Sequence, residues 1–171
     1  MKWDGWRCQI IKDGEKVSIL SRHRTGWTSR LPKIVDAVQA LPAKSLILDG
    51  ELLSDRLNFY TLAHAIRRQE AFVYVFDILH LDGESTRHLP LIERKTLLAK
   101  TVKVEPLLLV SEYFDDGQAL FEACGRQNME GVVSKRKDVP YKSGKCIYWR
   151  KSKCEAWREE NKERYKQFER R

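Results

Sequence analysis

Residues 6–21 read WRCQIIKDGEKVSILS. Two stretches of alternating character, Trp6–Lys12 and Lys16–Ser21, flank the dipeptide Asp13-Gly14. Asp-Gly between alternating runs is a strong signal for a tight hairpin, and a short loop joins strands only in the antiparallel sense. A chain that starts its sheet with a hairpin is not following the βαβ alternation of a doubly wound parallel fold.

The remaining segments fit that start. Leu31–Leu41 places Leu31, Ile34, Val35, Val38 and Leu41 at helical spacing, and Pro42 stops it. Ser45–Leu53 reads as a strand. Asn58–Gln69 reads as a helix with Phe59, Leu62, Ala63 and Ile66 inward. Phe72–Leu81, rich in aromatic and β-branched residues, reads as a buried strand that turns at Asp82-Gly83. A helix is expected over Pro90–Val102, a strand over Leu107–Phe114, and a helix over Asp116–Gln127 capped by Asp115 or Asp116. Gly131–Lys135 and Cys146–Lys151 read as two further strands, and Glu155–Arg171 as a marginal surface helix. Strands outnumber helices, so the expected class is α+β: mixed or antiparallel sheets with packed helices. No repeat or low-complexity tract interrupts the chain.

Composition narrows the partners. The 171 residues carry a net charge of +8, which favours a polyanion, with nucleic acid first and an anionic membrane surface second. No apolar run approaches the ~18 residues of a membrane span. Trp3, Asp4 and Arg7 interrupt the place where a signal peptide would be apolar. Cys8, Cys124, Cys146 and Cys154 lack tight paired spacing and read as reduced thiols, giving a cytoplasmic reading.

Six short stretches carry chemistry. Lys2-Trp3-Asp4-Gly5 sets a lysine beside an acid and a glycine that allows close backbone approach. A lysine acts as a nucleophile only when burial or neighbouring charge leaves its amine partly neutral; otherwise Lys2 is a solvated terminal lysine. Ser21-Arg22 places a guanidinium fork at a strand end, suited to phosphate or ribose if it is not simply exposed. Asp49 and Glu51 interrupt an apolar strand, and two-residue periodicity puts them on one face. There they want a cation, a sugar hydroxyl or a metal, unless the strand turns at Gly50 and leaves them solvated. In Tyr74-Val75-Phe76-Asp77, the aromatic beside an acid is either core or one wall of a base-binding slot. Glu130 and Lys135 lie five residues apart and point to opposite faces unless a bulge or the strand start re-aims one. Lys151 and Lys153 share a face, an arrangement that suits a polyphosphate. Lys135, Arg136, Lys137, Lys142, Lys145, Arg150, Lys151 and Lys153 form the densest basic region, against Asp138 alone.

The order and spacing of these stretches resemble the motif series of the covalent nucleotidyltransferases, the superfamily of ATP-dependent DNA ligases, RNA ligases and capping enzymes. Lys2–Arg7, Ser21–Pro32 (SRHRTGWTSRLP) and Tyr141-Lys142-Ser143-Gly144 look most like the ligase domain of bacterial end-joining ligases. The resemblance implies an ATP-grasp-like adenylation domain over residues 1–153, followed by a charged helical tail over 154–171. It implies ATP with magnesium or manganese as cofactors, formation of a lysyl-AMP, and transfer of AMP to the 5′-phosphate of nicked duplex DNA in repair or recombination. By matching position, Lys2 is the nucleophile and Asp4 orients the site. Arg22, Glu51, Phe76, Lys135, Lys151 and Lys153 bind nucleotide, with Phe76 stacking on adenine and Lys151 and Lys153 on the α-phosphate. Glu130 and Glu51 hold the metal. Arg22, Arg136, Lys137, Lys142 and Lys145 contact DNA. The motif series starts at Lys2 and ends at Lys153, which gives the expectation of a domain truncated at both ends. On that expectation there is no OB-fold, and activity is impaired or dependent on a separate OB-fold or end-joining partner. The alternatives are a degenerate relative that binds nucleotide or DNA without sealing, and an RNA ligase or capping-type nucleotidyltransferase.

Overall fold

The Asp13-Gly14 turn joins β1 (Trp6–Asp13) to β2 (Lys16–Ser21), with Asp13 opposite Lys16 and Cys8 opposite Ser21. The structure is a computed structural model, and it describes residues 1–55, 61–102 and 106–162. These fall into two compact units, each discontinuous in sequence. The larger comprises Gly5–Glu112 and Arg136–Cys146. The smaller comprises Met1–Asp4, Tyr113–Lys135 and the chain from Ile147 onward.

The larger unit is built on one mixed sheet. β3 (Ser45–Leu53) pairs antiparallel with β1, and β4 (Phe72–Leu81) pairs antiparallel with β3. The far edge of β4 is shared by two short strands. β5 (Glu84–Ser85) is antiparallel at one end, and β6 (Leu108–Val110) is parallel at the other. Period-2 alternation sends Cys8, Ile10, Ile19, Leu46, Leu48, Leu52, Val73 and Val75 into one apolar core. Helix α1 (Pro32–Gln39) starts with Pro at its first turn and adds Ile34 and Val38 to that core. Buried Lys12 donates to the carbonyls of Gln39 (2.9 Å) and Leu41 (2.5 Å), satisfying acceptors left over at the end of α1. Helix α2 covers Leu62–Arg68, and α3 covers Leu91–Thr101 and packs on β4.

The smaller unit pairs β7 (Gly131–Lys135) with β8 (Trp149–Lys153) as an antiparallel ribbon. Helix α4 (Gly117–Arg126) packs on β7 and is capped by Asp116, whose carboxylate accepts from the Ala119 amide at 2.9 Å. Helix α5 (Glu155–Glu160) contributes Trp157 to a second core with Cys124, Val132 and Cys154.

Three expected elements change. The strand over Leu107–Phe114 is reduced to β6: the Ser111 amide still donates to the Val75 carbonyl at 2.8 Å, but its carbonyl is taken by the Lys95 ammonium at 2.7 Å, and pairing ends there. The strand expected over Cys146–Lys151 moves to Trp149–Lys153, since its partner β7 offers a ladder only from Lys135 to Gly131; Ile147 is left exposed. In α2 the inward alanine is Ala65, while Ala63 faces solvent; Phe59, the other expected inward residue, lies outside the described residues. Of the expected C-terminal helix, Glu155–Glu160 is helical, and residues 163–171 lie outside the described residues.

Candidate active site

In the smaller unit the chemistry gathers on one face of the β7–β8 ribbon. Gly131 opposes Lys153, Val133 opposes Lys151, and Lys135 opposes Trp149. Directly paired residues share a face, so Lys135, Lys151 and Lys153 stand in one row. The expected pairing of Lys151 with Lys153 holds, and register adds Lys135 to it. Lys2 joins the edge of the same ribbon: its amide donates to the Gly131 carbonyl at 2.7 Å in an antiparallel bridge.

Glu130 is the acid of this cluster. Its carboxylate is 5% exposed and holds two ammonium groups, Lys2 Nζ at 2.5 Å on Oε2 and Lys153 Nζ at 2.9 Å on Oε1. Strand parity alone would set Glu130 opposite Lys135. Gly131 resolves the matter with φ of +142°, a conformation that only glycine adopts readily, and a Cβ there would sit 2.0 Å from the Ser152 carbonyl oxygen. The chain therefore turns at the strand start and delivers Glu130 to the lysines. Lys135 Nζ lies 4.0 Å from the centroid of Trp149, and Lys153 Nζ 4.9 Å from that of Trp157, so aromatic faces steer both cations. Asp4 is buried in this unit. Four lysines with one shared carboxylate make a positively biased site, suited to a phosphate chain.

The larger unit has its own polar constellation. Gly5 lies so close to β3 that a Cβ would stand 2.2 Å from the Leu52 carbonyl oxygen. This close approach brings Arg7 across to Asp49. The guanidinium binds the carboxylate with two hydrogen bonds, Nε to Oδ1 at 2.9 Å and Nη2 to Oδ2 at 2.5 Å. The Tyr141 hydroxyl donates to Asp49 Oδ2 at 3.0 Å and lies 3.2 Å from Arg7 Nη2. Asp49 holds Arg7 charged well above the ordinary guanidinium range. Burial, reinforced by Asp49, pushes the Tyr141 phenol up to about 12. Burial likewise pushes the Cys8 thiol up, with Glu51 and Asp49 adding to it, so Cys8 is an inert core thiol.

Asp49 and Glu51 share a face as their spacing predicts, and the strand runs straight through Gly50. The cation that Asp49 requires is Arg7. Glu51 is half-buried opposite Arg7 on β1 and Tyr74 on β4. Phe76 is the extra residue of a β-bulge: Asp49 opposes Asp77, Gly50 opposes Val75, and Phe76 is left between. Its ring is half-exposed, and Arg7 lies 5.7 Å from its centroid, so it is a ring at the sheet surface and not part of the apolar core. Asp77 is fully buried and bound by Arg94 of α3 through Nε at 2.7 Å and Nη2 at 3.0 Å. Arg22 is exposed past the end of β2. Arg136, Lys137, Lys142 and Lys145 are exposed on the β7–β8 connection, where Arg136 pairs with Asp138 at 2.6 Å.

Sequence reasoning missed the roles of Arg7, Tyr141, Arg94 and Trp149. Arg7 and Tyr141 both lie inside stretches that carried the family resemblance, which was the available signal. Among the described residues no three His, Cys, Asp or Glu side chains come together as a metal cage. A magnesium-sized cation held by one or two carboxylates takes its other ligands from phosphate and water, and buried Glu130 beside a phosphate-suited lysine row fits that donor set.

A lysine on a ribbon edge, ion-paired to a buried glutamate and flanked by a lysine row, has the charge and placement to take a phosphate chain. The chain belongs to the ATP-dependent DNA ligase domain family, whose family model matches residues 1–153. It is 33% identical over 164 residues to a probable DNA ligase of Dictyoglomus thermophilum, covering 84% of this chain and 28% of that protein. It is 34% identical over 159 residues to a probable DNA ligase of Beutenbergia cavernae, covering 85% of this chain and 31% of that one. The chain thus spans about a third of the length of the curated relatives it matches. Among solved structures it resembles the ligase domain of M. tuberculosis LigD, with a TM-score of 0.74, 28% identity, and coverage of 89% of this chain and 52% of that one. It also resembles mycobacterial DNA ligase D complexed with ATP and MES, with a TM-score of 0.75, 26% identity and the same coverage.

Proposed function

We propose that this chain is the adenylation domain of an ATP-dependent DNA ligase, with residues 1–153 forming that domain and 154–171 a charged tail. On this reading Lys2 attacks the α-phosphate of ATP, a phosphoramidate bond to AMP forms, and pyrophosphate leaves. AMP then passes to the 5′-phosphate of a nick in duplex DNA. The 3′-hydroxyl displaces AMP to seal the strand, in repair or recombination.

The observation that carries the reading is the Lys2–Glu130–Lys153 cluster. Its charge and its single carboxylate suit a triphosphate in which the reacting phosphorus must be approached by an amine. The nitrogen lone pair that attacks must be clear of Glu130, whose carboxylate engages Lys2 Nζ. Attack therefore requires that pair to open. Lys151 and Lys153 would hold the α-phosphate, and Lys135, steadied by Trp149, would face the nucleotide. Asp4 would help to orient Lys2.

In the larger unit Phe76 would stack on adenine and Glu51 would take the ribose or a metal. Arg22 would contact ribose or the nick phosphate, and Arg136, Lys137, Lys142 and Lys145 the DNA backbone. Glu130 in the smaller unit would hold magnesium or manganese, and Glu51 in the larger unit is a candidate metal ligand there. When bound, such an ion neutralises charge that builds on the phosphoryl oxygens. A cation on Glu130 would compete with the ammonium groups of Lys2 and Lys153 for the same two oxygens. A separate OB-fold or end-joining partner, and a cytoplasmic location, belong to the same reading.

The test is transfer. Protein labelled with [α-³²P]ATP is chased with nicked duplex DNA or nicked duplex RNA bearing a 5′-phosphate. The DNA ligase reading predicts that label moves to the DNA 5′ end. Movement to RNA alone would replace it with the RNA ligase reading.

A further inference from the structure

The connection between β7 and β8, residues 136–146, has no regular secondary structure, yet it is tied down from Lys137 to Ser143. Helix α3 begins at Leu91 after Pro90, and no side chain caps its first amides. The connection supplies the missing acceptors. The Ile92 amide donates to the Lys137 carbonyl at 3.0 Å, and the Leu91 amide donates to the Val139 carbonyl at 3.1 Å. The Tyr141 amide donates to the Arg87 carbonyl at 2.8 Å, and Arg87 Nη2 donates to Ser143 Oγ at 2.8 Å. The Tyr141 hydroxyl reaches Asp49, and the guanidinium groups of Arg87 and Arg94 lie 5.3 and 5.7 Å from its ring centroid.

The anchors point inward and the cations outward. Arg136, Lys137, Lys142 and Lys145 are all exposed, while Tyr141 is half-buried. A loop that merely bridged two strands would need neither the anchors nor the charge. Cations on a free loop lose much of their attraction to the cost of ordering the loop, and cations on a strapped loop do not.

We propose that residues 136–146 form a pre-organised strap that binds the phosphate backbone of duplex DNA, and that Tyr141 is the positioning residue that sets its reach through Asp49. This rests on the DNA ligase reading. In this role the Tyr141 hydroxyl engages Asp49 and Arg7 rather than DNA. It acts by fixing the backbone from which Lys142 and Lys145 extend.

The experiment is a double-mutant cycle on binding of the full chain to a nicked duplex at ~0.1 M salt. The four proteins are the parent, Lys142→Gln with Lys145→Gln, Tyr141→Phe, and all three changes together. Measurement at a temperature where thermal unfolding shows every variant folded removes stability from the comparison. Losing two phosphate contacts is expected to weaken the parent about tenfold and to lower its salt slope by about two. In the Tyr141→Phe background the same lysine changes are expected to cost less than about threefold, because the strap no longer presents them. Equal losses in both backgrounds would overturn the positioning role. No loss from the lysine changes in the parent would overturn the strap as a DNA contact. A parent that binds no duplex but still forms lysyl-AMP would overturn the strap alone, whereas one that does neither would overturn the ligase reading beneath it, so the failures are distinguishable.

Discussion

Lys2 and Glu130 are an ion pair with Nζ 2.5 Å from Oε2, and the side chains are 17% and 4% exposed. Lys153 completes the cluster from the other carboxylate oxygen at 2.9 Å. One acid thus holds two cations that would otherwise repel each other. Glu130→Gln keeps the volume and removes the charge. It is expected to lower lysyl-AMP formation by about 100-fold or more, the scale seen when a group that stabilises reacting charge is removed. The partial exposure of both lysines limits the stability loss to about 2 kcal/mol in denaturant titration. Unchanged adduct formation would remove Glu130 from the site.

Gly131 controls where Glu130 points. Gly131→Ala forces a Cβ to 2.0 Å from the Ser152 carbonyl oxygen at a φ of +142°. The ribbon must open at its Lys153 end, and the Lys2 bridge to Gly131 opens with it. The expected outcome is loss of about 3 kcal/mol or more of stability in the smaller unit. Amide exchange of Lys2 and Cys154, whose N–H groups donate to the Gly131 and Glu130 carbonyls, should speed up, read by hydrogen–deuterium exchange. A variant with parental exchange would contradict this geometry.

Trp149 steers Lys135, whose ammonium lies 4.0 Å from the ring centroid. Trp149→Leu keeps an apolar residue on the strand but removes the π face. The KM for ATP is expected to rise about fivefold, in line with about 1 kcal/mol for a partly shielded cation–π contact. Trp149→Phe restores a ring and should return KM to within about twofold. Equal effects of both changes would show that only bulk matters at this position.

Lys95 gives the fold a distinctive pH response. Burial pushes its ammonium down to about 8 from an ordinary value of 10.5, against a smaller opposing pull from Asp77. Below pH 8 the lysine is charged in both states, and the folded state bears the full cost of burying it. Above 10.5 it is neutral in both states and the cost is gone. Its contribution therefore raises stability as pH climbs from 8 to 10.5 and is lost as pH falls through 8. Lys95→Met should shift denaturant midpoints relative to the parent by an amount that changes by about 1 kcal/mol between pH 8 and 10. A constant difference across that range would contradict the buried ammonium.

The sheet was largely legible because its strands keep a period of two against an apolar core. β1, β3 and β4 fall where alternation and turn residues set them. The edges were not legible. Cys146, Ile147 and Tyr148 have strand-forming side chains, but pairing depends on β7, whose last laddered residue is Lys135. The helix from Pro90 was clear, whereas its need for carbonyls from Lys137 and Val139 depends on contacts more than 40 residues away. In the site, spacing correctly placed Asp49 with Glu51 and Lys151 with Lys153. It could not reveal that Arg7, 42 residues away, serves Asp49, or that Tyr141, 92 residues away, shares that carboxylate. Nor could it show the bulge that leaves Phe76 half-exposed, since a bulge is a property of two strands and not of one.

A covalent adduct on Lys2 is the direct consequence of its role as AMP acceptor. The full chain is incubated with ATP and magnesium or manganese, digested, and mapped by mass spectrometry. One adenylyl group is expected on the peptide containing Lys2, and none in Lys2→Arg, which keeps the charge beside Glu130 but offers no nucleophilic amine. An unmodified Lys2 under saturating ATP, or an adduct that persists in Lys2→Arg, would contradict it.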